Sequence, residues 1–310
     1  TEDTTSDNTV VGYQALKTMN GGSSTTAVGH RAGTAITTGA FNTLYGNLSG
    51  YTLTDADRNV ALGYGTIGSD TKGSRSVAVG YLALYNQNFT SATNSYNCAV
   101  GYLAGFSIST GEQNTIIGAL AGDAQNTANR MVIIGYNANA SAVNAFDEIV
   151  IGNNVTGSGS SSFTFGTGTS DSAIGNGGTS ISAPSDQRYK EEITTSTAGL
   201  GFINDLRPVT FKWKMEKDVP NDHRAYVEGS EKRVMNAKDD LYHGFIAQEV
   251  KAVVDNHSEI KNYDELWSEN ADSRQRLAPS FLIPMLTKAI QELSEKNDAL
   301  EARVKTLEGS

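Results

Sequence analysis

Short apolar pairs, each followed by a glycine, recur through the first half of the chain. The spacing between these glycines is 17 residues in seven of eight intervals, and the two residues before each glycine are apolar in all nine units. The repeat glycines are Gly12, Gly29, Gly46, Gly63, Gly80, Gly101, Gly118, Gly135 and Gly152. Small and polar residues fill the positions between the pairs, which is typical of short strands separated by turns. The pattern therefore predicts one strand in each unit.

A fixed period of this length without helical spacing predicts a β-solenoid or β-roll over residues 1–156, with one coil per unit. Successive side chains of a strand point to opposite faces, so one residue of each pair fills the coil and the other faces outward. The outward apolar residues need a cover, and the simplest cover is an identical chain. We therefore expect a homo-oligomer.

The amino-acid composition changes near residue 184, which indicates a boundary between two structurally different parts of the chain. Residues 1–184 hold 27 of the 32 glycines and 17 charged residues, whereas residues 185–310 hold 41 charged residues. Residues 157–184 are rich in Gly, Ser and Thr, and they are interpreted as a connector, either a flexible linker or a few thin β turns. The chain is therefore divided into residues 1–156, 157–184 and 185–310.

A heptad pattern near the C-terminus predicts a coiled-coil helix over residues 280–308. The core positions of this pattern are separated alternately by three and four residues, and all but one are apolar. They form a seam that comprises Ile290, Leu293, Asn297, Leu300, Val304 and Leu307. Asn297 would fix the register of the paired helices, and branched residues alternating with leucine mildly favour dimers. The alternative interpretation is an amphipathic helix that packs on its own domain.

Charge and composition exclude several classes of protein. A net charge of −10 argues against a partner that is a nucleic acid or an anionic membrane. The single cysteine, Cys98, excludes a disulfide scaffold and a cysteine-based zinc site. No metal, cofactor, signal peptide or membrane-spanning run of about 20 apolar residues is predicted. The sequence does not begin with methionine, so we expect further residues to precede residue 1.

A glycoside hydrolase would need a pair of carboxylates near the bond that is cut. The repeat region offers two close pairs, Asp55 with Asp57 and Asp147 with Glu148. We interpret both pairs as solvated loop charges. The sequence therefore predicts no activity on an external substrate.

The repeats resemble the head repeats of trimeric autotransporter adhesins and of phage tail fibres. The resemblance covers roughly residues 8–156 and rests on the phrases NTVVGYQAL, TAVGHRAG, VAVGYLAL and CAVGYLAG. Those heads are trimeric parallel β-rolls. The resemblance therefore implies a homotrimer.

Residues 185–310 resemble the intramolecular chaperone domain of endosialidase-type phage tailspikes. The motif SDQRYK at residues 185–190 matches the start of that domain, and three later segments fit it at residues 206–213, 244–250 and 283–293. The family has an α+β domain that drives trimerisation and folding of the fibre before it. The domain then releases itself by cutting the chain before the motif serine.

The same resemblance implies which residues carry out the cut. Ser185 would be the nucleophile, Lys190 its base and Pro184–Ser185 the scissile bond, with Asp186 and Arg188 as supporting residues. A serine hydroxyl needs a base to become a good nucleophile, and a lysine acts as that base where burial or nearby cations lower its pKa. Both groups flank the bond, so the reaction would be a single turnover in cis without a cofactor.

Taken together, these features predict a viral tail fibre segment with a self-cleaving chaperone. It would be made in the host cytoplasm and reside in the virion tail, bound to other tail proteins. Its fibre would attach to a receptor on the host surface, either a glycan or a protein. The alternative is a bacterial trimeric surface adhesin with a chaperone-like trimerisation domain.

Overall fold

A computed structural model of the chain describes residues 7–168, 170–178, 180–183, 185–260, 266–269 and 274–309. The chain divides into two compact units, Thr1–Tyr189 and Lys190–Ser310. The strands of the first unit are β1 (Thr9–Val11), β2 (Thr26–Val28), β3 (Thr43–Tyr45), β4 (Val60–Leu62), β5 (Gly73–Ser74), β6 (Val77–Val79), β7 (Thr93–Asn94), β8 (Cys98–Val100), β9 (Thr115–Ile117), β10 (Val132–Ile134), β11 (Ile149–Asn153), β12 (Ser162–Thr167) and β13 (Ser170–Gly175).

The first unit is a parallel β-solenoid of about nine turns with a period of about 17 residues, as the repeat predicts. Each repeat strand pairs in parallel with the repeat strand of the next coil, so that Thr9 stands beside Thr26 and Thr26 beside Thr43. The sheet has the order β1-β2-β3-β4-β6-β8-β9-β10-β11-β12-β13. The longer coil between β6 and β8 keeps this register, with Val77 beside Cys98, and its strand β7 forms a second short parallel pair with β5 of the coil before.

The two apolar residues before each repeat glycine face opposite sides of the sheet. From the second coil onward, the first of each pair is buried in the coil, as at Ala27, Leu44 and Ala61, while the second is exposed or half-buried. In the first coil Val10 is exposed. The second residues form the outward stripe, which comprises Val11, Val28, Tyr45, Leu62, Val79, Val100, Ile117, Ile134 and Ile151. The predicted division between core and outer face is therefore confirmed.

The coil interior contains buried asparagines that join successive coils. The side chains of Asn42, Asn59, Asn97 and Asn114 are almost fully buried. Each accepts a hydrogen bond from the backbone N–H of the residue 17 positions later and donates one to a carbonyl 14 positions later. Buried amides are stable only when they have such partners, so these contacts also fix the stacking of the coils.

The connector contains β structure that extends the sheet beyond residue 156. Strand β12 continues the parallel register from β11, with Gly152 beside Gly166, and β13 returns antiparallel to β12. Phe163 and Phe165 are half-buried, with ring centroids 5.0 Å apart. Of the two interpretations of the connector, the structure agrees with thin β turns over residues 162–175.

In its described residues, the second unit combines three α-helices and two short antiparallel strand pairs around a small core. Its elements are α1 (Leu200–Asp205), β14 (Val209–Phe211), β15 (Tyr242–Gly244), α2 (Ala247–Asp255), β16 (Trp267–Glu269), β17 (Gln275–Leu277) and α3 (Ile283–Glu308). Strand β14 pairs with β15, and β16 pairs with β17. The core includes Phe202 of α1, Val250 and Val254 of α2, and Met285 of α3. The predicted C-terminal helix is confirmed, and a 3₁₀ turn at Pro279–Leu282 leads into it.

Candidate functional site

The predicted cleavage segment lies at the boundary between the two units. Ser185 belongs to the first unit and Lys190 to the second, and both side chains are exposed in the single chain. Pro184, the residue before the predicted scissile bond, lies outside the described residues. Residues Gln187–Tyr189 form a 3₁₀ turn between the two predicted catalytic residues.

Asp186 and Arg188 together close that turn. The Nε atom of Arg188 donates to the two carboxylate oxygens of Asp186 at 3.0 and 3.1 Å, and its backbone N–H donates to Oδ1 at 2.9 Å. These hydrogen bonds, first that of the guanidinium and then that of the backbone, hold the pKa of Asp186 below its usual value. The motif therefore carries its own bidentate ion pair, which orders the turn that follows Ser185.

The predicted heptad seam lies on an exposed side of α3. Helix α3 is anchored at its start, where Met285 and Ala289 are buried, and Glu292 accepts a hydrogen bond from the first backbone N–H of α1 at 2.9 Å. The apolar seam residues are 49–67 % exposed, and residues 293–308 are exposed throughout. Helix α3 therefore packs on its own unit through its first turns, whereas the seam is an exposed apolar surface.

Burial of Glu148 corrects one sequence prediction. Glu148 is fully buried, and its carboxylate accepts hydrogen bonds from the backbone N–H and hydroxyl of Ser141 and from the backbone N–H of Gly159. The interpretation of this residue as a solvated loop charge was wrong, because three donors from surrounding turns replace its water. Asp147 beside it is exposed and forms an ion pair with Arg130. Glu148 thus joins the connector to the last coils of the solenoid.

A second buried carboxylate, Asp70, supports the longer coil. Its side chain accepts hydrogen bonds from the backbone N–H groups of Gly73 and Phe89 at 3.0 and 2.9 Å and from Gln87 Nε2 at 2.6 Å. The sequence signal for this network was the irregular interval of 21 residues between Gly80 and Gly101, which marks a local change in the coil. Asp70 therefore has a structural role.

Within the described residues, no three His, Cys, Asp or Glu side chains cluster closely enough to hold a metal ion. No helix in those same ranges combines the length and apolar character that a bilayer crossing requires.

One known family matches part of the chain. The family model described as chaperone of endosialidase matches residues 185–259, and the match begins at Ser185. No curated protein and no solved structure matches the chain at a significant level. The matched family is one of self-cleaving chaperone domains. Residues 185–259 are therefore similar to that family, and they directly follow a β-solenoid and its connector.

Proposed function

We propose that this chain is a segment of a phage tail fibre or tailspike that attaches the virion to its host. Its C-terminal domain aligns three chains, supports folding of the solenoid and then cuts itself off between Pro184 and Ser185. The observation that carries the proposal is the family match, which begins at the predicted nucleophile directly after a fibre-like repeat. The fibre is made in the host cytoplasm and joins other proteins of the virion tail.

The exposed seam of α3 supports trimerisation. Residues 293–308 are exposed on all sides, and they extend about 24 Å at 1.5 Å per residue. An isolated helix of this length is marginally stable in water, so apolar contacts with partner helices are needed to hold it. The seam provides those contacts, and Asn297 within it fixes the register of the helices.

The outward stripe of the solenoid supports assembly along the fibre. It places an apolar side chain on the same face of all nine coils, and none of its residues is charged. Identical chains that pack through this stripe remove it from water. Alignment of the chains over many coils is slow without help, because contacts between residues distant in sequence require loop closure first. A domain that brings the chains together before the coils form removes that delay.

In the proposed self-cleavage, Ser185 is the nucleophile and Lys190 is its base. Lys190 takes the proton of the Ser185 hydroxyl, and the oxygen attacks the carbonyl carbon of Pro184. The bond from that carbon to the Ser185 nitrogen breaks, the nitrogen takes up a proton, and an ester to the Ser185 oxygen remains. Water then hydrolyses the ester, which leaves a carboxylate on Pro184 and restores the serine. Since both side chains are exposed in the single chain, assembly has to supply the burial that activates a lysine base.

Mass spectrometry of the purified chain tests the cleavage. After folding at neutral pH, we expect two fragments, residues 1–184 and 185–310, from the wild-type chain. Ser185→Ala and Lys190→Ala should each leave an intact chain that still sediments as a trimer. Ser180→Ala, which changes another exposed serine of the same segment, is the matched control and should be cleaved normally. A wild-type trimer that keeps its full mass would contradict the proposed cut.

The second candidate function, a bacterial trimeric surface adhesin, is supported by the repeats alone, because they resemble adhesin heads. An adhesin keeps its C-terminal domain attached to the head. An uncut wild-type trimer would therefore favour this alternative.

A further inference from the structure

Aromatic residues line one side of the solenoid, directly after the repeat glycines. We call these positions the ring column, and they are Tyr13, His30, Asn47, Tyr64, Tyr81, Tyr102, Ala119, Tyr136 and Asn153. The parallel register places them at the same point of successive coils. Tyr64, Tyr81 and Tyr102 stack in sequence, with ring centroids 5.3 and 5.4 Å apart and ring planes 11° from parallel. All three rings are roughly half exposed at their edges.

Stacking leaves few ring faces available to a ligand. Tyr81 has Tyr64 against one face and Tyr102 against the other, so it presents its edge and hydroxyl group. A ligand ring that stacks on an aromatic face needs a position in the column where no ring stands. Asn47 and Ala119 are two such positions between aromatic residues.

Of these two positions, Asn47 is filled by its own side chain. The Oδ1 atom of Asn47 lies 3.4 Å from Nδ1 of His30. Ala119, in contrast, has only a methyl group between Tyr102 and Tyr136. The ladder hydrogen bonds from Leu120 N to Tyr102 O and from Asn137 N to Ala119 O continue the coil stacking through this position. Tyr102 and Tyr136 are therefore two coil steps apart.

The space at Ala119 matches one ring. Tyr102 and Tyr136 stand two coils apart, and tyrosines on successive coils of this column stack at 5.3–5.4 Å, so a ring at the Ala119 position would continue that spacing. Both walls are about half exposed, so the space opens to solvent. The gap at Ala119 is therefore one missing member of an aromatic stack.

The positions next to the gap carry no charge. The hydroxyl groups of Tyr102 and Tyr136 can act as hydrogen-bond donors and acceptors at its edges. No charged residue occurs from one before to two after the repeat glycine in the coils of Gly101, Gly118, Gly135 and Gly152. These features suit a neutral ligand with hydroxyl groups and C–H faces, because aromatic faces carry negative potential that attracts C–H groups.

We propose that the gap at Ala119, between Tyr102 and Tyr136, binds one neutral hexopyranose ring of a host-surface glycan. The proposal rests on the proposed attachment function and names the class of ligand and its place. An assembled trimer would carry three such gaps.

Saturation-transfer difference NMR on the full chain tests the gap. The probes are the methyl glycosides of glucose, galactose and mannose, with N-acetylneuraminic acid as the charged comparison. We expect at least one neutral glycoside to bind the wild-type chain. Ala119→Tyr should abolish that binding, because it fills the gap with the side chain that Tyr81 already places in the same column. Asn47→Tyr is the matched control, because it adds a ring at the other position of the column, and it should bind like wild type.

A second pair of variants keeps the test independent of folding in Ala119→Tyr. Tyr102→Ala removes one wall of the gap and should weaken binding by about tenfold, the effect of one lost ring contact. Tyr13→Ala leaves both walls in place, opens no position between two rings of the column, and should retain wild-type affinity. Absence of binding by every neutral glycoside, binding of the acidic sugar alone, or equal binding by wild type and Ala119→Tyr would each overturn the proposal.

The oligomeric state and fragment masses of the same samples show whether a negative result contradicts only the sugar site or also the proposed function. A cleaved wild-type trimer that binds no neutral sugar would reject the gap and leave the chaperone role intact. An uncut or monomeric wild-type chain would contradict the proposed function itself.

Discussion

A backbone carbonyl oxygen of the next coil lies so close to each repeat glycine that it leaves no room for a side chain. These glycines have φ values of +130° to +150°, and a Cβ atom built on any of them would lie 1.9–2.4 Å from the backbone oxygen of the following coil. Conformation and contact therefore both require glycine. This requirement explains why one residue type recurs in all nine units while its neighbours vary.

Gly63→Ala should destabilise the solenoid by at least about 2 kcal/mol, through strain at positive φ and displacement of the coil above. The added Cβ would lie 2.2 Å from the oxygen of Gly80. Urea unfolding followed by far-UV circular dichroism measures the change. Gly175→Ala is the control, because open space surrounds that position, and it should change stability by less than about 0.5 kcal/mol. Equal stability losses in the two variants would contradict this account.

Other residues at positive φ show what the sequence could not reveal. Arg58, Leu82 and Tyr96 adopt φ values of 50–58°, although their side chains give no local preference for that conformation. The hydrogen bonds between coils impose it, because each coil has to turn at the same points. The sequence therefore predicted the positions of the repeat glycines, but it did not predict the positive φ values of these other residues.

At the scale of elements, His257 joins α1 to the segment after α2. Its side chain is 15 % exposed, with Nε2 at 2.9 Å from Asp205 and Nδ1 at 2.7 Å from Glu259. Phe202 of α1 meets its ring edge-on at 5.3 Å. The hydrogen bond with Glu259, followed by that with Asp205, raises the pKa of His257 above its usual value of 6.5. The protonated ring can donate to both carboxylates, which favours the folded unit.

The second unit should therefore lose stability as pH rises. A group whose pKa is raised on folding contributes its full stabilisation below the unfolded pKa near 6.5 and loses it as pH passes through the folded pKa. Thermal unfolding followed by tryptophan fluorescence between pH 5.5 and 9 measures this, because both tryptophans, Trp213 and Trp267, lie in the second unit. His257→Gln should remove most of the decline, while the exposed control His243→Gln should keep it. The same decline in both variants would show that another group is responsible.

The elements of the candidate site differ in how far sequence predicted them. The apolar seam of α3 was predicted because helical periodicity depends on local spacing. Burial of Asp70 and Glu148 was missed because it depends on backbone donors from other coils, such as the N–H groups of Phe89 and Gly159. The Asp186–Arg188 pair was predicted only in part. The family resemblance implied a supporting role for both residues, but only the structure shows the contact between them.

At the scale of the whole molecule, the second unit should be required for assembly of the first. Without residues 185–310, the solenoid loses the helix that we propose aligns the chains and still exposes its outward stripe. We expect the truncated chain, residues 1–184, to aggregate or to remain monomeric when expressed alone, as sedimentation would measure. Full-length Ser185→Ala, which should assemble without cleavage, is the control. Soluble trimer from the truncated chain would refute the chaperone role.

The constant register of the coils also has a genetic consequence. Seven of the eight repeat intervals are 17 residues long, and each coil presents the same backbone hydrogen bonds to the coil before and after it. Recombination between two repeats in the gene can therefore add or remove a whole coil without interrupting the ladder. Each such event changes the reach of the solenoid by about 4.8 Å, the spacing of paired strands, and leaves residues 185–310 unaltered. The length of the solenoid can thus vary between related genomes in discrete steps, independently of residues 185–310.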